Sequence, residues 1–235
     1  MSRTEIREDY GTITGFVDAG PRQLIAAGMP AGSITDDTEQ AVLLAELLVE
    51  GAGRVDVEEL AARLLAWEAE MSARGSLDLL GPSTKAALQR LSDGIPATEA
   101  GRFGTTNGAA MRITPVGIAH HVDTVPAFVD AVAATSEPTH NTSLGIASAA
   151  AIGAAVSAGI DGAGTAEAVE VAIAAADEGA RRGHWAAGGE IGPRLRWAIP
   201  FVADLAPERR ADAVARVIGT SVASQESVVA ALALA

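Results

Sequence analysis

Thr35, Asp36, Asp37 and Thr38 place two adjacent carboxylates between two hydroxyls, just ahead of the apolar run Ala41-Val42-Leu43-Leu44. Hard oxygen donors at the mouth of a helix are what Mg²⁺ or Mn²⁺ prefers. Asp36 with Glu39 three residues later also fits a capping box, in which the two side chains satisfy the first orphan amides of the helix. One cap needs one acid. The neighbouring carboxylates repel each other, which a helix N-terminus tolerates and a cation between them relieves better. Spacing alone leaves cap and metal site both open.

Two further stretches carry chemistry. Gly101-Arg102-Phe103-Gly104-Thr105-Thr106-Asn107-Gly108-Ala109-Ala110-Met111-Arg112 holds three glycines and an Asn-Gly pair. These let the backbone turn tightly and present its amides, and a helix starting after Gly108 would attract anions at its N-terminus. A plain structural turn is the other reading of any Asn-Gly. Thr135-Ser136-Glu137-Pro138-Thr139-His140-Asn141 is a polar segment ahead of a charge-free, small-residue stretch. A histidine in such a place caps or packs more often than it binds.

The elements that must position these residues read as helices throughout. Ser2 and Glu5 form a capping box that opens a short helix over Arg3 to Asp9. Gly20-Pro21, Met29-Pro30 and nearby glycines mark the stretch up to Gly32 as loop. The helix after Thr38 carries Glu39, Glu46 and Glu50 on one narrow stripe and aliphatics elsewhere, which predicts a helix nearly surrounded by protein. Leu60, Leu64 and Trp67 mark an amphipathic helix over Val57 to Glu70, and Pro82 starts another with Leu88 and Leu91 inward. Val125-Pro126 introduces a helix through Phe128, Val129 and Val132. Thr165 is expected to cap one that ends near Arg181-Arg182-Gly183, and Pro200 to end or kink the helix bearing Arg194 and Trp197. Asn141 to Ile160 carries no charge and is long enough to span a bilayer, but its Ala, Gly and Ser residues give weak insertion drive. It is expected to be a buried core helix, with Gly145, Ala149, Gly153 and Ser157 stacked on one ridge where a neighbouring backbone can approach. No Val/Ile/Thr alternation bounded by hairpin turns appears, and no repeat of fixed period. The predicted architecture is all-α, a single domain over residues 1–235 forming a compact multi-helix globule.

Composition narrows the function. The chain has 235 residues, no cysteine and only 3% aromatics, so it relies on aliphatic packing without disulfides, and a cytoplasmic location is expected. A formal net charge of −13 argues against a nucleic-acid partner, whose phosphates are held by Lys and Arg. No basic segment followed by an apolar core opens the chain, so neither a signal peptide nor a membrane partner is expected.

Together the three stretches, in this order, resemble the ADP-ribosylglycohydrolase family, which includes dinitrogenase-reductase-activating glycohydrolases and ADP-ribosyl-arginine and ADP-ribosyl-serine hydrolases. Thr35-Asp36-Asp37-Thr38 resembles the family's first metal motif, Asn107 to Arg112 its ligand-cradling loop, and Thr139-His140 the start of a later ligand-contacting helix. The resemblance implies an orthogonal all-α fold with two Mg²⁺ or Mn²⁺ ions in a central cleft. It also implies hydrolysis of the glycosidic bond in ADP-ribosylated protein side chains or a related ADP-ribosyl or riboside substrate. Thr35, Asp36 and Asp37 would be metal ligands, the two aspartates catalytic. Asn107, Gly108, Ala109, Ala110, Met111 and His140 would contact substrate. The family's opening Gly-Asp-Ala type motif and its closing Gly-Asp-x-Asp-Thr type motif have no counterpart here, and the helix over Ser224 to Ala235 lacks a stop signal. The expectation is therefore a domain incomplete at both ends, with weak ADP-ribose binding and slow turnover. The alternative is a non-catalytic ADP-ribose-binding or structural member, as in the crystallin-like relatives.

Overall fold

The computed structural model describes residues 1–73 and 80–235. Thirteen α-helices and one π-helical turn account for its regular structure. The only β-type pairing among the described residues is two isolated bridges, Thr106 with Ala223 and Thr142 with His184. The all-α expectation holds.

The chain opens with α1 (Arg3–Tyr10), where Ser2 and Glu5 form the capping box read from the sequence. A segment without helix or strand follows, tied back to α1 by Arg22, which pairs with Glu8 and Asp9. Then come α2 (Asp36–Glu50), α3 (Val57–Ala73), α4 (Pro82–Ser92) and three short helices, α5 (Ala97–Ala100), α6 (Gly108–Met111) and α7 (Thr114–Ala119). The second half is built from α8 (Val125–His140), α9 (Ser143–Ile160), α10 (Thr165–Gly179), α11 (Ile191–Ala203), α12 (Pro207–Ala213), the π turn Val214–Ile218 and α13 (Ser224–Leu234).

Helix α9 is the axis of the molecule, packed by α6, α7, α8, α10, α11 and α13. It is long and apolar enough to cross a membrane, yet most of it lies inside the domain, as a soluble core helix would. Its small residues explain how so many neighbours fit. A Cβ at Gly145 would lie 2.6 Å from the His140 carbonyl, and a Cβ at Gly117 of α7 would lie 2.4 Å from the carbonyl of Gly153. The close approach is thus made from both helices, and the glycines permit it. On one side of α9 a core forms from Leu44, Leu60, Leu64, Leu88, Phe128 and Val132. On the other, Ala172, Ile191, Leu195, Val228 and Val229 form a second, wholly aliphatic core.

Two expectations, on the exposure of α2 and the cap of α10, are corrected. Helix α2 is not nearly surrounded: Val49 is 83% exposed and Val42 also faces out, because only the face with Leu43, Leu44, Leu47 and Leu48 meets the core. The polar segment from Thr135 forms the last turns of α8, which continues through Pro138 to His140. Thr135 and Ser136 hydroxyls donate to the Val132 carbonyl, a local satisfaction that lets polar residues sit in a buried helix. Thr165 is the first residue of α10 rather than its cap, and α11 runs past Pro200 to Ala203.

Candidate active site

Helix α2 begins at Asp36, with Thr35 as N-cap residue and no side-chain capping bond. The capping-box reading therefore fails: Glu39 instead accepts from the Trp67 indole N–H at 2.8 Å. Thr35 donates its hydroxyl to the Asp37 carboxylate at 3.2 Å. Asp36 is buried at 8% exposure, whereas Asp37 is exposed, and neither forms an ion pair among the described residues. Burial, reinforced by the neighbouring Asp37 charge, pushes the Asp36 carboxyl up to about 6. Two acids side by side without a basic partner favour a cation, which would relieve both the desolvation and the repulsion.

The donor chemistry fits a hard divalent ion: two carboxylates and a threonine oxygen at one helix mouth. The set is partial. No group of three or more His, Cys, Asp or Glu side chains is gathered among the described residues. Mg²⁺ commonly uses one or two carboxylates and completes its shell with water and substrate oxygens.

The loop Thr105 to Arg112 is tied to α2 at its end, where Arg112 Nη1 donates to Gln40 Oε1. Its backbone is fixed by α13: Asn107 N–H donates to the Val222 carbonyl at 2.8 Å and Ser224 N–H to the Thr105 carbonyl at 3.2 Å. Met111 N–H is spent on the Asn107 carbonyl. Of the expected cradle, the amides of Asn107 and Met111 are thus already engaged, and Gly108, Ala109 and Ala110 supply the first-turn N–H groups that a helix leaves without internal partners.

His140 does not meet an open cleft. It is fully buried, its Nε2 lies 2.9 Å from Thr106 Oγ1 and its Nδ1 lies 2.8 Å from Thr139 Oγ1. Burial, and secondarily the Arg112 charge, holds it well below the usual histidine range, so the ring is neutral. His140, expected to contact substrate, lies beneath the loop with both ring nitrogens engaged by threonine hydroxyls. A Cβ at Gly108 would lie 2.5 Å from His140 Cε1, and one at Gly104 would lie 2.7 Å from His140 Cα. Glycine is required at both positions because the chain lies directly on the histidine.

Sequence reasoning missed the residues that join the two halves. Arg112, 1% exposed, donates through Nη1 to Gln40 Oε1 at 3.1 Å and through Nη2 to Thr139 Oγ1 at 2.5 Å. Gln40 follows Asp36 by one helical turn on the same buried face of α2. The signal was a lone amide in an apolar helical stripe, which invites a question about its buried partner.

The comparisons with known proteins bear on the family and the fold. The family model described as ADP-ribosylglycohydrolase matches residues 1–235. The chain belongs to the ADP-ribosylglycohydrolase family. Within that family it is 31% identical over 233 residues to the uncharacterized protein YegU of Escherichia coli (strain K12), covering 99% of this chain and 70% of the relative. An uncharacterized protein of Archaeoglobus fulgidus is 39% identical over 121 residues, covering 52% of this chain and 36% of that one. A solved structure described as an ADP-ribosylglycohydrolase-related protein complex superposes with a TM-score of 0.61 at 24% identity, over 93% of this chain and 62% of that chain. At that identity the likeness shows a shared ADP-ribosylglycohydrolase fold. The chain spans less than two thirds of that structure's length.

Proposed function

We propose that this ADP-ribosylglycohydrolase-family chain serves the metal-dependent hydrolysis of the glycosidic bond in ADP-ribosylated protein side chains or a related ADP-ribosyl or riboside substrate. The observation that carries the reading is the Asp36-Asp37 pair at the start of α2, without an ion-pair partner among the described residues, on a helix that Gln40 ties to Arg112 at the end of the pinned loop. Asp36, Asp37 and the Thr35 hydroxyl would hold one of two Mg²⁺ or Mn²⁺ ions. A bound ion supplies charge that favours an oxygen nucleophile and orients the ribose hydroxyls. Asp36 and Asp37 would hold that ion, with Asp36 shielded from water by its burial. The N–H groups of Gly108, Ala109 and Ala110 would face the diphosphate or ribose oxygens. Asn107 and Met111 would shape the rim, while His140 supports the loop from below. We place the reaction in the cytoplasm, on a chain without cysteine.

The partial ligand set favours a second reading, in which the fold binds ADP-ribose without turning it over. The test is release of ADP-ribose from arginine- and serine-linked substrates with Mn²⁺ or Mg²⁺, comparing the natural chain with Asp36→Ala and Asp37→Ala. Turnover that falls by roughly 100-fold or more in both variants supports the hydrolase, since each removes electrostatic stabilisation of the transition state. Turnover unaffected by either substitution refutes it. ADP-ribose binding without turnover selects the second reading.

A further inference from the structure

Arg112 presents a physical problem. A guanidinium is almost always charged, and taking it out of water costs several kcal/mol unless a carboxylate repays the loss. Here the side chain is 1% exposed and has no acidic partner among the described residues. Its acceptors are all neutral: Gln40 Oε1, the Thr135 carbonyl at 3.4 Å and Thr139 Oγ1. Among the described residues its Nε has no partner, and neither has Gln40 Nε2, so two buried donors are left unsatisfied in one network. For stability alone, a well-packed aliphatic pair at positions 40 and 112 would serve better.

What the network does accomplish is mechanical. Arg112 stands at the C-terminal end of α6, immediately after the loop, and its planar fork reaches α2 on one side and the last turn of α8 on the other. Gln40 is one turn from Asp36, so holding Gln40 fixes the translation and rotation of the helix start that carries Asp36 and Asp37. Thr139 passes the constraint to His140 and thence to Thr106, one residue before Asn107. Aliphatic contacts do not select register in this way, because they are not directional.

We propose that Arg112 and Gln40 are positioning residues, which lock the acid-bearing start of α2 against the ligand loop at the cost of two unsatisfied buried donors. The proposal rests on the metal-site reading given above for Asp36 and Asp37. Neither residue touches the ion or the substrate. They act on the geometry in which Asp36 and Asp37 are presented, as supporting residues around metal ligands do.

The test is Mn²⁺ affinity by calorimetry, with the melting temperature of the metal-free protein measured in parallel. The double variant Gln40→Leu with Arg112→Met removes both polar partners together, so it should melt no lower than the natural protein. Its Mn²⁺ affinity should nevertheless fall by about 10–100-fold. Gln40→Glu keeps the tether and gives Arg112 a carboxylate, and its affinity should stay near that of the natural protein. Unchanged affinity in the folded double variant overturns the proposal, because a merely structural network would leave the ligands where they were. If the double variant does not fold, the single variant Gln40→Leu replaces it with the same expected loss of affinity. Failure of both to fold makes the network a stability element and overturns positioning. Asp36→Asn separates the two claims. Mn²⁺ binding that is lost in Asp36→Asn but intact in Gln40→Leu refutes positioning alone, whereas no Mn²⁺ binding by the natural protein refutes the metal site and positioning together.

Discussion

The two cores on either side of α9 are both apolar, but they differ in what borders them. The one formed with α10, α11 and α13 consists of Ala, Ile, Leu and Val. The one beside α2, α6 and α8 borders a buried polar chain running from Gln40 through Arg112, Thr139 and His140 to Thr106. The first core is what a helical globule needs in order to exist. The border of the second accepts desolvation costs and unsatisfied donors, and it does so where the helix and the loop of the candidate site are tied together. The contrast teaches that departure from the apolar rule coincides with the half of this molecule that carries the candidate site.

The largest effect should come from the apolar core. Leu195 is fully buried among aliphatic neighbours, so Leu195→Ala should cost about 3 kcal/mol of unfolding free energy, from lost transfer energy and the cavity left behind. Urea denaturation measures it. A loss under about 1 kcal/mol would mean that this core collapses around the gap and is not the rigid half of the comparison.

Next in size is a change at the boundary between the halves. A Cβ at Gly153 would lie 3.2 Å from the Phe128 ring and 3.3 Å from Ile113 Cγ1. Those side chains can yield a few tenths of an ångström, which a leucine exceeds. Gly153→Leu should therefore overpack α9 and cost about 1–3 kcal/mol, read as a lower melting temperature. An unchanged melting temperature would show that α9 is free to shift, and the two cores could not then be treated as separately rigid.

The smallest effect should have the opposite sign. The folded-state pKa of Asp36 is raised by burial to about 6, from an ordinary 3.8. Between these values the folded protein binds more protons than the unfolded chain, so stability falls as pH rises through that window and recovers as pH drops. Asp36→Asn removes the titration. In EDTA the variant should be the more stable protein at pH 7, with the difference vanishing below about pH 4, near the ordinary aspartate value. A pH-independent difference would show that Asp36 is not strained by burial, and the polar half would lose its clearest cost.

Most of the helices were legible in the residues. The capping box at Ser2, the Leu60-Leu64-Trp67 spacing, the proline starts at Pro82 and Val125-Pro126 and the small-residue axis all appear as read. Errors came at caps and helix faces: Thr165 lies inside α10, and α2 exposes Val42 and Val49. From Thr135 to His140 local side-chain bonds and Arg112 keep the helix going, and only a long-range partner makes that possible.

For the site, the residue types alone determined that Thr35, Asp36 and Asp37 are oxygen donors, two of them with like charge, and that the Asn107-Gly108 loop must turn tightly. These properties are local, set by side-chain chemistry and by backbone freedom at glycine. The tertiary structure alone decided that Asp36 is buried while Asp37 is not, and that His140 lies beneath the loop with both ring nitrogens engaged. It also decided that Gln40 and Arg112, 72 positions apart, share one hydrogen bond. Burial and long-range pairing depend on which faces of distant helices come together, and no spacing within a single segment records that.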